Sequence, residues 1–307
     1  MNKEIISIAI LSYNSESTIL ETLNSILEQN YGCQYIELIF GDDGSKDDTQ
    51  KLIKNWLKNY KNNFHNVILN ISNVNKGVVA NFNSTCQLAT SNWIKPIAAD
   101  DLLKYNCITE LYLFVTDIKT PCAFCKVERF CGSKKLGVIP KNNYYFNQTA
   151  KEQFKHLLID NFVPAPGSFL SKKLLQDIEY PDANLSMEDY PLWLKITNMN
   201  IKLPLLDKIL VEYRIGDSIS NSNNRLINAK LNNDVYLCKK KFILKMNNNN
   251  LYKLLLVIDI KLFRLVDIIK IKVFKNKKNR YTTLISPVIR LLSPLYIIRK
   301  IKQKSST

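Results

Sequence analysis

The sequence predicts an α/β fold, a mostly parallel sheet flanked by helices, followed by a C-terminal helical appendage. Three observations predict it. Through the first hundred residues, short β-rich runs alternate with longer stretches of helical periodicity, the pattern of a parallel sheet covered on both faces. Polar clusters fall where those strands end. The composition also changes near residue 221: residues 1–221 hold 23 Lys and Arg against 24 Asp and Glu, whereas residues 222–307 hold 20 against 3. The expected division is therefore an α/β domain over 1–220 and a basic, helical region over 221–307.

Each element follows from its residues. Ile5 to Tyr13 (IISIAILSY) is a buried strand, and Ser15 to Gln29 a helix with Ile19, Leu23, Ile26 and Leu27 at helical spacing. YIELIFG is the second strand, followed by a helix over Asp47 to Tyr60 with acidic residues in its first turn. NVILNIS is the third, followed by a helix over Gly77 to Thr90, and NWIKPIA is the fourth. After Pro121 the pattern is mixed, with strands near Ala123 to Phe130 and Ile209 to Arg214 and helices near Thr149 to Asp160 and Tyr190 to Met199. Beyond Ser222 the chain is helical and basic, with an asparagine-rich joint at Met246 to Asn250.

At 307 residues and 46% hydrophobic content the chain has enough apolar material for a packed core. Seven scattered cysteines do not describe the disulfide framework of a secreted domain, and MNKEIISIAIL carries no cleavage-site pattern. The cytoplasm is the expected compartment. Cys122 and Cys125 form a CxxC, but PCAFCKVERF reads as a strand and no second pair completes a zinc set.

In a parallel sheet the ligand sits beyond the carboxyl ends of the strands. Three polar clusters fall there: Ser12-Tyr13-Asn14, Gly41 to Asp48 (GDDGSKDD) and Ala99-Asp100-Asp101. Adjacent carboxylates near an apolar core repel one another and lose hydration, so Asp100 and Asp101 call for a positive partner. They could instead cap a helix opening at Leu102. Their convergence with the other two clusters favours a metal over a cap. A further acidic pair, Glu188-Asp189 in SMEDYPLWLKI, stands where a helix begins, which favours the ionised form a general base needs.

These motifs resemble glycosyltransferase family 2, inverting nucleotide-sugar transferases of GT-A fold. The resemblance runs from Ile5 to about Ser220 through SYN, GDDGSKDDT, NVNKG, ADD and MEDYPLWLKI, in the family's order. It implies that Leu11, Tyr13, Asn14, Asp43, Asn75 and Asp100 contact the nucleotide and that Asp100 and Asp101 hold Mn²⁺ or Mg²⁺. It implies that Asp189 takes the acceptor's proton while Glu188 orients a sugar or a loop. Three departures stand out. Phe82 occupies the place where many members carry an arginine, Ala98 replaces the first acid of DxDD, and Gly216 replaces a histidine after Tyr213-Arg214. Arg214 is left as a partner for the diphosphate.

The implied reaction moves a sugar, from a UDP-sugar by analogy with relatives, to a hydroxyl of a growing surface glycan such as a lipopolysaccharide, O-antigen or capsule precursor, lipid-linked or not. A scaffold that binds nucleotide-sugars without turnover is the alternative, against which the retained Asp189 argues. In the basic region, Lys253, Lys261, Arg264, Lys272 and Lys275 fall within about 100° of one another on a helix. Tyr281 to Lys304 is apolar with a basic end. Both suit an anionic membrane surface, on the cytoplasmic face; a helical cap on the catalytic domain or a homodimer contact is the other use. Nucleic acid is not expected, because the basic residues accompany Leu, Ile and Val rather than stacking aromatics.

Overall fold

The computed structural model describes residues 3–216, 225–246, 251–279, 284, 288 and 291–304. It resolves into two compact units. One comprises Met1–Asn143, Val163–Asn184 and Leu203–Ile215; the other comprises Tyr144–Phe162, Leu185–Lys202 and Gly216–Thr307.

The first unit is built on a nine-stranded sheet. Its elements are β1 (Ile6–Ser12), α1 (Ile19–Leu27), β2 (Ile36–Asp42), α2 (Thr49–Tyr60), β3 (Asn66–Ile71), α3 (Val78–Gln87) and β4 (Trp93–Ala98). These are followed by β5 (Leu102–Leu103), α4 (Cys107–Asp117), β6 (Cys122–Cys131), β7 (Lys134–Ile139), β8 (Ser168–Ser171), α6 (Lys172–Asp177) and β9 (Leu205–Arg214). The order is β3-β2-β1-β4-β8-β6-β9-β5, with β7 on β6. β1 pairs in parallel with both β2 and β4. The chain therefore runs outward from β1 through β2 and β3, then crosses to β4 on the other side. That reversal opens a crevice at the carboxyl ends of β1 and β4, where open α/β sheets bind ligands.

β1 and β2 are buried along nearly their whole length, which is why both read as continuous apolar runs rather than alternating ones. Ile6, Ile8, Ile10, Leu38 and Phe40 pack with Ile19, Leu23 and Ile26 of α1 in the main core.

Several expectations shift. α1 begins only at Ile19, because the N–H groups of Thr18 and Ile19 both close a turn on the Ser15 carbonyl. Leu102 and Leu103 pair with Glu212 and Val211 of β9 instead of opening a helix, so the aspartate pair does not cap one. Cys122 and Cys125 are buried inside β6, and no disulfide joins the cysteines among the described residues.

The second unit is helical: α5 (Ala150–Ile159), α7 (Asp189–Asn198), α8 (Ala229–Leu244), α9 (Leu251–Lys272) and α10 (Pro294–Lys304). Its extent departs from the boundary expected at residue 220, because α5 and α7 associate with the C-terminal helices. The Tyr190 hydroxyl donates to the Leu157 carbonyl at 2.6 Å, and the Ser186 hydroxyl to Asp234 of α8 at 2.6 Å. A T-x-x-E capping box starts α5, the Thr149 hydroxyl accepting from the Glu152 N–H. The asparagine-rich joint and much of the predicted segment Tyr281 to Lys304 lie outside the described residues. Among the described residues no helix is long and apolar enough to cross a membrane.

Candidate active site

The crevice of the sheet unit is shaped by Asp42, which sequence reading passed over. It is buried, and one carboxylate oxygen accepts the hydroxyls of Ser12 at 2.9 Å and Ser45 at 2.6 Å. The other accepts the Ser45 N–H at 3.0 Å and the Gln50 amide at 2.7 Å. A single carboxylate thereby ties the end of β1 to the turn after β2. Its signal was present in GDDGS, where either aspartate could take the ligand-facing role.

Asp43 points the other way along the same turn. Its two oxygens accept the N–H groups of Lys76 and Gly77 at 2.7 and 2.9 Å, pinning the NKG loop. Gly44 allows this at φ +75°, where a Cβ would meet the Val74 backbone at 2.8 Å. Asn75 is exposed, its side-chain oxygen receiving the Gly77 N–H at 3.1 Å. Asn14 adopts φ 50° and accepts the Lys46 N–H at 2.8 Å, while Tyr13 beside it is 47% exposed. Leu11 receives the Ala99 N–H on its carbonyl at 2.9 Å. Leu11, Tyr13, Asn14, Asp43 and Asn75 are thus joined, through β1, β2 and the loop before α3, in one crevice rim. Phe82 is buried, so no cation comes from the position where many relatives place one.

Asp100 and Asp101 follow β4 and differ in surroundings. Asp101 is 1% exposed, and one of its oxygens accepts the Arg214 N–H at 3.0 Å. Burial, then the charge of Asp100, push its carboxyl well above the ordinary range, against the Arg214 N–H and the charges of Lys95 and Arg214. Asp100 is only partly buried; burial raises its carboxyl too, opposed in part by Arg214. Arg214 is heavily engaged, its Nε donating to the Asp100 carbonyl at 2.9 Å, its Nη2 to Glu21 at 2.7 Å, and its guanidinium lying 4.6 Å from the Phe130 ring centre. Lys95, fully buried on β4, donates to the carbonyls of Pro96 and Pro166 at 2.8 and 2.7 Å. Lys95 and Arg214 both bring positive charge toward Asp101, although burial pushes the Lys95 ammonium down.

The donor set suits one kind of metal. Among the described residues no three His, Cys, Asp or Glu side chains gather as a closed cage. The carboxylate of Asp100 and the remaining oxygen of Asp101 fit a hard ion that takes its other ligands from phosphate and water, as Mg²⁺ and Mn²⁺ do.

In the helical unit, Glu188 precedes α7 and Asp189 is its first residue. Tyr190, Leu192, Trp193, Leu194 and Ile196 bury the rest of the helix, fixing its start. The Asn161 amide lies 3.5 Å from Asp189 Oδ2. Burial, then the charge of Asp189, push the Glu188 carboxyl up to about 7. Burial also raises Asp189, but the Tyr190 N–H and the Asn161 amide hold it back.

The model of glycosyl transferase family 2 matches residues 7–178. The chain belongs to glycosyl transferase family 2. It is 27% identical over 229 residues, 73% of its own length and 83% of the relative's, to the Escherichia coli UDP-Glc:alpha-D-GlcNAc-diphosphoundecaprenol beta-1,3-glucosyltransferase WfaP. Among solved structures it resembles residues 1–349 of S. aureus TarS in complex with UDP-GlcNAc, at TM-score 0.62 and 18% identity, covering 90% of this chain and 77% of that one. It also resembles the mannosyltransferase PcManGT of Pyrobaculum calidifontis in complex with GDP-Man and Mn²⁺, at TM-score 0.62 and 13% identity, covering 100% and 81%. The fold of this family 2 member is accordingly GT-A, with C-terminal helices. Another curated relative, 23% identical over 219 residues that make up 70% of this chain and 23% of the relative, is the minor teichoic acid biosynthesis protein GgaB of Bacillus subtilis.

Proposed function

We propose that this family 2 glycosyltransferase moves a sugar, with inversion, from a UDP-sugar to a hydroxyl of a lipid-linked saccharide in bacterial surface-glycan assembly. The observation that carries the reading is the pairing of the family match with the β1/β4 reversal, where hydrogen bonds join the segments bearing Leu11, Asn14, Asp43 and Asn75 and where Asp100 follows β4. Leu11, Tyr13, Asn14, Asp43 and Asn75 are the proposed nucleoside contacts. The exposed ring of Tyr13 offers a stacking face for the base, and Asp43, already receiving two N–H groups, has lone pairs left for a third donor.

Asp100, with Asp101 behind it, is the proposed holder of a divalent ion, which when bound would neutralise charge developing on the leaving diphosphate. The partly exposed Asp100 is the better placed of the two. Asp101, held on the Arg214 backbone, keeps β9 and the end of β4 in register.

Asp189 is the proposed base. Burial raises both acids at the start of α7, and the Tyr190 N–H and the Asn161 amide favour the ionised form of Asp189. A base that receives the acceptor's proton must be the ionised one. Glu188 then positions rather than abstracts. We assign the exposed apolar and basic faces of α9 and α10 to the surface of an anionic membrane, on the side where a lipid-linked acceptor is found.

The test is transfer from a panel of UDP- and GDP-sugars to an alkyl-diphospho-GlcNAc acceptor, with and without Mn²⁺. One UDP-sugar should be turned over with metal present. Asp189→Asn should lower kcat by about 10²- to 10⁴-fold with UDP affinity unchanged, and Asp100→Asn should remove the Mn²⁺ dependence. Normal turnover by Asp189→Asn would overturn the assigned base.

A further inference from the structure

The helical unit contains a half-open cavity of about 270 Å³ lined by the end of α5, by α8 and α9, and by Tyr296 of α10. Its charged lining comes from three helices: Asp160 beside α5, Lys239 of α8, and Arg264, Asp267 and Lys270 of α9. The Arg264 guanidinium lies over the ring of Tyr236, 5.4 Å from its centre, and makes no hydrogen bond to another described residue. A guanidinium braced on an aromatic face with its N–H fork open is arranged to receive an oxyanion.

The two carboxylates do not cancel the three cations. Asp160 also faces Arg299, whose Nη1 is 3.8 Å from its carboxylate. Asp267 accepts the Asn232 amide at 3.0 Å; burial raises its carboxyl, opposed by that amide and by the charges of Lys270 and Arg264. Lys239 donates to the Ile159 carbonyl at 2.8 Å, which holds its ammonium at the wall. Lys270 is nearly fully buried, so its charge acts in a medium that screens it weakly. The cavity thus carries excess positive charge behind partly apolar walls.

One lining residue, Asp160, leads along the chain toward the acidic pair at α7. Asp160 is followed directly by Asn161, whose amide reaches Asp189. We propose that this cavity binds a phosphate group of the acceptor, so that the saccharide attached to it is presented to Asp189. The proposal rests on the reading of the chain as a transferase acting on a phosphate-linked saccharide. The volume admits a phosphate or diphosphate with part of one sugar, not a lipid chain as well.

The probe is inorganic pyrophosphate, titrated by calorimetry into the full chain with its donor pocket saturated by UDP. The wild type should bind one pyrophosphate. Arg264→Gln should weaken that binding at least tenfold, Arg264→Lys less, and neither should change UDP affinity. If Arg264→Gln fails to fold by circular dichroism, Lys239→Gln provides the same readout. No pyrophosphate uptake by the wild type, or unaltered uptake by the folded variants, overturns the proposal. Competition distinguishes the sources: displacement by an alkyl-diphospho-GlcNAc supports an acceptor site, whereas displacement only by dihexanoyl phosphatidylglycerol overturns it in favour of a lipid headgroup. Pyrophosphate binding that survives while no UDP-sugar is turned over would leave this site standing and overturn the transferase reading instead.

Discussion

Burial raises both acids at the start of α7, and for Glu188 the consequence has a measurable sign. A carboxyl raised in the folded chain binds a proton that the unfolded chain releases. Its stabilising contribution is therefore complete below the unfolded value of 4.5 and is lost as pH rises through about 7. The ceiling on that loss is about 3 kcal/mol at 1.36 kcal/mol per pKa unit, less whatever solvent screening removes. Glu188→Gln has no proton to lose. Urea unfolding at pH 5 and pH 8 should show the wild type losing stability between the two and the variant losing less. Equal pH dependence in both would mean the pair is not strained by burial. The roles of such residues were only half legible. The motifs named Asp100, Asp101 and Asp189, but Lys95 is a lone lysine in WIKPIA, and nothing in the sequence says that its side chain runs inward to the carbonyls of Pro96 and Pro166.

Elements were legible in proportion to their periodicity. β1 to β4 and the helices between them announced themselves, because long apolar runs and 3.6-residue spacing leave few alternatives. β5 has two residues and β8 four. Both exist because a neighbouring strand offers an unpaired edge, which is information held by β9 in the first case and by β4 and β6 in the second. The grouping of α5 and α7 with the C-terminal helices was hidden for the same reason, since it is a contact between distant segments. The junction of β2 and α3 was hidden in a different way. Gly41 reads as a turn glycine, but it lies within β2, where a Cβ would meet the Thr85 hydroxyl at 1.9 Å and Asn81 Oδ1 at 2.6 Å. The Asn81 amide donates to the Gly41 carbonyl at 2.8 Å, so α3 sits directly on the strand. Gly41→Ala should force the two elements apart, costing about 1–3 kcal/mol as other overpacking changes do. It should also weaken UDP binding, because the same strand carries Asp42 and leads into Asp43. A variant with unchanged urea midpoint would show that the helix can move away freely.

At the scale of the whole molecule, the charge divides in the same place as the apolar exposure. Leu254, Ile258, Lys261, Leu265, Ile268 and Lys272 of α9 are all exposed and fall within about 80° of one another at 100° per residue. Leu254 is 56% and Leu265 53% exposed. The buried side holds Leu256, Ile260 and Val266 together with Asp259 and Lys270; Asp259 accepts the Ser293 hydroxyl. α9 thus carries a second apolar face beyond the one it buries, where the usual soluble helix is polar. α10 repeats the pattern with Ile297, Ile298 and Ile301 exposed beside Lys300 and Lys302. Lysines interspersed among exposed leucines and isoleucines match the layered chemistry of an anionic bilayer surface, each cation contributing about 1 kcal/mol there and the apolar side chains entering the headgroup boundary. The two contributions respond differently to salt, since only the electrostatic one is screened. The wild type should sediment with phosphatidylglycerol vesicles at low salt and be partly released at 1 M NaCl. The triple variant Leu254→Ser, Ile258→Ser, Leu265→Ser should bind at least tenfold more weakly at either salt, and Lys261→Glu with Lys272→Glu should lose chiefly the salt-sensitive part. A second copy of the chain could cover the same face, and sedimentation velocity without vesicles tells the two apart. A concentration-dependent dimer that the triple variant abolishes, with vesicle binding unaltered, would assign the face to self-association and remove the membrane from the account.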